Sequence, residues 1–200
     1  MVKLLNTMRY IFSGVMIMLV FASCESEYTR LVKRELEKEQ RLDSILFDLN
    51  FGDPRSRFYQ RCLELNRQTL VTQGPSNSSV QYIFQDSLFH EEPTPMRLLF
   101  YPEFDVEDKL SGMNMEFSYM AWAPWNRELQ SDYLQPKVIE MIESWYNGNK
   151  FIETEVRGAN LKVKVDGNRR VLVYIKDTQT VVVKVQDLLH PQFKHSISSK

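Results

Sequence analysis

With 200 residues, 43% of them hydrophobic, the chain is long enough for one globular domain with a substantial core and too short for two large ones. Its 25 Lys and Arg stand against 26 Asp and Glu, so no strong positive field gathers nucleic acid, and a nucleic-acid partner is not expected.

Residues 1–23 differ in character from the rest. Lys3 and Arg9 precede an apolar run from Tyr10 to Ala22, interrupted only by Ser13 and Gly14, which is the anatomy of a signal peptide. The run is well short of the roughly 20 apolar residues that a helix needs to cross a hydrocarbon core, and polar residues follow it at once. Ala22 and Ser23 stand directly before Cys24. In this the segment resembles the bacterial lipoprotein signal, whose lipobox ends in two small residues and a Cys; the position three before the Cys, most often Leu in that family, is Phe21 here. The resemblance covers only residues 1–24. It implies cleavage before Cys24, acyl chains such as palmitate on the new N-terminus, and attachment to a membrane of the bacterial cell envelope, expected to be the outer one. Two or more acyl chains anchor a protein stably, where one alone binds marginally. Glu25 and Glu27 further resemble the surface-export signal of Bacteroidota lipoproteins. With Cys24 lipidated, Cys62 has no partner for an internal disulfide, and the exported domain depends on its core.

From Tyr28 to Asp43 the chain is dense in Glu, Lys and Arg without Gly or Pro, which predicts a helix. Its apolar positions, Leu31, Val32, Leu36, Leu42, Ile45, Leu46 and Leu49, leave a charged gap from Glu37 to Arg41. Residues 24–50 are therefore expected to form a lipid-anchored, solvated helical spacer, with a coiled-coil or partner-binding helix as the alternative. Asp53 as N-cap and Pro54 at the first helical position predict a second helix to about Leu70. Phe58, Cys62 and Leu65 share one face of it, which makes Cys62 a small core residue. The stretch Gln73 to Ser79 reads as a loop.

Beyond it, apolar runs at Val80 to Phe84, Leu98 to Tyr101 and Met113 to Trp122 predict strands. A helix is expected after Pro136, with Val138, Met141, Ile142 and Trp145 as its buried stripe and Asn147 to Asn149 as its stop. Phe151 to Val156 begins a strand series. Leu161, Val163 and Val165 alternate with Lys162 and Lys164; Asp166 and Gly167 turn the chain; Val171, Val173 and Ile175 continue, and Val181, Val183 and Val185 follow a second turn. The fold class is α+β: two N-terminal helices, a mainly antiparallel sheet with a covering helix, and a C-terminal β-meander. Residues 51–187 are assigned to one domain and 188–200 to a polar tail.

No constellation for chemistry stands out. His90, His190 and His195 lie apart, and His90 with Glu91 and Glu92 lacks the helical two-His order of a metalloprotease. Asp105, Glu107 and Asp108 read as a solvated loop without the ligand spacing of a calcium site. With 7 glycines the chain has no phosphate-cradling loop, and it has no nucleophile elbow. No catalytic residue, metal or cofactor is therefore expected. Phe117, Tyr119, Trp122 and Trp125 cluster around Pro124, and Trp122 with Trp125 is the candidate binding surface, a core role being the competing reading. Two functions follow: a non-enzymatic envelope lipoprotein that binds another protein or a surface ligand, or an envelope hydrolase or transferase whose carboxylates meet only in the fold.

Overall fold

The computed structural model describes residues 25–84, 94–156 and 159–194. The signal segment, Cys24, His90 with its neighbouring acids, and His195 lie outside the described residues.

Helix α1, Glu27–Glu37, begins where the Ser26 hydroxyl accepts a hydrogen bond from the Thr29 amide at 3.1 Å, with Glu27 in the first turn. It is shorter than expected, and its buried face is its own: Leu31, Val32 and Glu35 are covered, and Leu31 and Val32 pack on Val163, Val165 and Leu188. The solvated helical spacer expected over residues 24–50 is thereby corrected. Past Lys38 the chain instead forms a hairpin, β1 (Ser44–Leu46) and β2 (Leu49–Asn50), whose Ile45 and Leu49 enter the main core. Helix α2, Arg55–Arg67, has Pro54 rather than Asp53 at its N-cap; the Asp53 carboxylate accepts from the Asn50 amide at 2.8 Å and closes the hairpin.

Eight strands follow in one antiparallel sheet: β3 (Val71–Gln73), β4 (Val80–Ile83), β5 (Met96–Phe104), β6 (Leu110–Tyr119), β7 (Ile152–Val156), β8 (Ala159–Asp166), β9 (Arg169–Ile175) and β10 (Val181–Asp187). Their order is β3-β4-β5-β6-β10-β9-β8-β7. Two four-stranded meanders are thus joined through their last strands, β6 and β10, and each is introduced by a helix: α2 before the first and α3, Ser131–Trp145, before the second. The fold is α+β.

Strand pairing fixes which residues share a face. Val173, Val183, Met115, Phe100 and Val80 lie directly opposite one another across five strands, and α2, α3 and the hairpin cover this face. Helix α1 covers Val163 and Val165 on the other.

Several boundaries differ from expectation for physical reasons. Strand β6 ends at Tyr119, which leaves Trp122 in the connection to α3 rather than on the strand. Strand β5 runs through Pro102, tolerated because β4 pairs with β5 only as far as Phe100. Helix α3 starts before Pro136, because Ser131 is pinned to the β9–β10 turn: its amide donates to the Thr178 carbonyl at 3.0 Å and its hydroxyl to that of Asp177 at 2.6 Å. At the β8–β9 turn Gly167 takes a φ of +53°, the left-handed geometry a two-residue hairpin requires. Lys164, placed by alternation on a polar face, is 1% exposed. The beginning of the expected polar tail is also packed, with Leu188 and Phe193 buried and Pro191–Lys194 forming the short helix α4. Among the described residues no helix is long and apolar enough to cross a membrane.

Candidate aromatic binding cleft

The β1–β2 hairpin turns on two residues, Phe47 and Asp48, with φ of +52° and +59°. A turn with both central residues left-handed normally uses Asn and Gly; a bulky residue there costs on the order of 1 kcal/mol or more. The surroundings over-determine the turn. Ile45 and Leu49 are buried on either side, and Arg61 of α2 clamps the tip: Nε donates to the Phe47 carbonyl at 2.8 Å and Nη2 to Asp48 Oδ2 at 2.6 Å.

This clamp holds the Phe47 ring 5.4 Å from Tyr82 and 5.6 Å from Phe100. Tyr82 contacts Phe84 at 4.9 Å, Phe84 contacts Phe117 at 6.3 Å, and Phe117 contacts Trp145 at 6.3 Å. Tilted, edge-on and offset contacts of this kind are favourable beyond the area they bury. The row of rings floors a cleft of about 570 Å³, within the range of small-molecule sites, whose walls include Leu46, Phe47, Asp48, Tyr82, Phe84 and Trp145. Leu46, Phe47, Tyr82, Phe84 and Trp145 are half-buried, so apolar surface remains open in a concave setting.

A polar cleft of about 390 Å³ adjoins it, lined by Glu35, Lys38, Tyr146, Asp166 and Arg169 among others. Arg169 lies over the Tyr146 ring at 4.0 Å and donates from Nη1 to the Ser44 carbonyl at 3.0 Å. The Tyr146 hydroxyl donates to the Ile45 carbonyl, and burial pushes this phenol far above its ordinary range despite the nearby Arg169. Lys164 Nζ lies 2.9 Å from Asp166 Oδ2. Burial alone would raise the Glu35 carboxyl, but bonds from Lys38, Asn149 and the Gly167 amide outweigh it and hold the pKa below the ordinary value. A carboxyl lowered in the folded state contributes in full above its unfolded pKa of about 4.3 and loses that contribution as pH falls through the folded value. The urea unfolding midpoint should therefore drop between pH 7 and pH 3. Glu35→Gln should lower the midpoint at pH 7 and make that drop smaller.

Other residues singled out in the sequence fall elsewhere. Trp125 is 86% exposed. Trp122 is half-buried against the main core, its indole N–H without a hydrogen-bond partner among the described residues, and neither Trp lines the aromatic cleft. Cys62 packs on the main core from α2, and burial pushes its thiol up to about 11, too high for a reactive thiolate at neutral pH.

The fold joins Asp105 and His190, which are 85 positions apart, with Nε2 and Oδ2 separated by 3.2 Å. Nδ1 of His190 accepts from the Gln192 amide at 3.3 Å, so both ring nitrogens are engaged and the imidazole acts as a clamp on the C-terminal segment. Asp105 is held below the ordinary carboxylate range, chiefly by the Lys109 amide, with burial opposing and the Glu107 amide and His190 adding to the effect. Asp108 is bonded to Arg55 at 2.6 Å. Among the described residues no group of three or more His, Cys, Asp or Glu is placed to hold a metal ion.

The Phe47–Asp48 turn was not foreseen. Its only sequence signal is the two-residue gap between the apolar pair Ile45–Leu46 and Leu49, without the Asn or Gly that marks such a turn. Comparison with protein-family models, curated proteins and solved structures finds no match.

Proposed function

We propose that the chain is a lipoprotein of the bacterial cell envelope, held at the outer membrane by acyl chains on Cys24, with a non-enzymatic binding or assembly role exercised through the aromatic cleft. The observation that carries the binding role is the clamped turn: two non-glycine residues are kept in a costly backbone conformation, and the result is an aromatic ring at the rim of an open apolar cleft. The carboxylates favour binding over acid–base catalysis. Glu35 is paired with Lys38, Asp166 with Lys164, Asp105 with His190 and Asp108 with Arg55. A catalytic pair instead needs two carboxyls whose environments push their pKa values apart around open substrate space.

Titration with the neutral apolar dye N-phenyl-1-naphthylamine tests the cleft. The mature chain carrying Cys24→Ser should bind it saturably with enhanced fluorescence. Phe47→Gly should weaken binding at least tenfold while keeping a cooperative urea transition, because glycine relieves the backbone as the ring is lost. Trp125→Ala should bind as the parent does. Unsaturable binding, or equal binding by Phe47→Gly, would overturn the assignment. The anchor is tested separately: Cys24→Ser should move the protein from the membrane to the soluble fraction, and a membrane-bound variant would contradict lipid attachment at that residue.

A further inference from the structure

The aromatic cleft and the polar cleft share Trp145 and Tyr146 as a common wall, so an apolar surface opens directly beside a charged one. Two acids and two bases line the polar cleft, and Lys164, buried against Asp166, brings a third cation to them. Lys38 bonds both oxygens of Glu35, which Arg34 also approaches at 3.5 Å, and Lys164 takes Asp166 at 2.9 Å. Arg169 is left with the same Asp166 oxygen at 4.0 Å and the Ser44 carbonyl, and its Nε has no partner among the described residues. It is a cation 5% exposed that lines the polar cleft and is short of an anion.

We propose that the two clefts form one site for an anionic amphiphile, a long-chain carboxylate, with its alkyl chain against Phe47, Tyr82, Phe84 and Trp145 and its carboxylate at Arg169. The proposal rests on the binding reading of the aromatic cleft and adds the chemistry of the ligand. A planar guanidinium stacked on a tyrosine ring suits a carboxylate, which it meets with short charge-assisted hydrogen bonds. Burial lowers the pKa of Arg169 from the ordinary guanidinium value, with Tyr146 and Asp166 only partly opposing it, as for a buried cation that lacks full compensation. The half-buried rings supply the apolar surface against which the chain leaves water.

The test is displacement of the neutral dye from the mature Cys24→Ser chain by dodecanoate, 1-dodecanol and dodecyltrimethylammonium. Dodecanoate should displace it at a concentration at least tenfold below that needed for either of the others. Arg169→Met should abolish this preference while the dye still binds. Because a variant of so buried a residue can fail to fold, the ligand series on the parent chain decides the matter alone. Equal displacement by dodecanoate and dodecanol overturns the carboxylate site and leaves the apolar cleft standing. Failure of the dye and all three amphiphiles to bind removes both. Displacement by a short apolar peptide with a free C-terminus, but not by dodecanoate, would overturn the proposal in favour of a protein ligand.

Discussion

Phe117→Ala should lower the stability of the domain by about 3–5 kcal/mol, the range for removing a large aromatic from a packed core. Phe117 is fully buried near the C-terminal end of β6, opposite Leu98 on β5 and Val181 on β10. It is also the link between Phe84 and Trp145, so its loss removes the floor beneath two residues of the cleft wall. Neighbouring strands fix the backbone on both sides, and the cavity can collapse only partly. The urea transition should move to lower denaturant with its slope unchanged. A change below about 1 kcal/mol would show that β6 is not the centre of the sheet.

Lys164→Ala should cost a similar amount, about 3–5 kcal/mol, for a different reason: it leaves the buried Asp166 carboxylate with no cation closer than Arg169, 4.0 Å away. Lys164 Nζ also donates to the Asn149 carbonyl, and Asp166 Oδ1 accepts from the Asn149 amide at 2.7 Å, so the pair ties β8 to the segment after α3. The double variant Lys164→Met with Asp166→Asn should recover part of the loss, because the carboxylate is neutralised together with its cation while Arg169 loses its 4.0 Å contact with Asp166. Additive losses in the double-mutant cycle would show that the two side chains do not act as a pair.

Lys164 illustrates where the sequence could be read and where it could not. Alternation located β8, β9 and β10 and the turn at Gly167, because each strand gathers its branched apolar residues on one side, those of β9 and β10 toward the main core and those of β8 toward α1. The same alternation put Lys164 on the solvated side, since nothing local announces that the α3 terminus and Asp166 close over it. The stripe of α3 was legible for the same reason as the meander. Its start was not, because Ser131 is fixed by Asp177 and Thr178, far along the chain. Pairing of β10 with β6 is likewise non-local, and no periodicity encodes strand order.

In the N-terminal stretch good helix formers dominate the local sequence, while tertiary burial of Ile45, Leu49 and Phe51 decides the structure. As for the site, the aromatic residues of β4 and α3 were visible as strand and helix residues. Their meeting with Phe47 depends on a turn that breaks the usual residue preferences and survives through Arg61. Trp122 and Trp125 stood out by composition, yet concavity is a property of the fold, and the cleft formed elsewhere.

The most direct test of a binding role at the cleft is a backbone amide NMR titration of the mature Cys24→Ser chain with N-phenyl-1-naphthylamine. Shifts should concentrate at Ser44 to Asp48, Tyr82 to Phe84, Leu98, and Trp145 with Tyr146, the residues around the clamped turn and its facing rings. Shifts confined to the connection from Met120 to Gln130, with the hairpin and β4 unmoved, would contradict it and return the binding surface to Trp122 and Trp125.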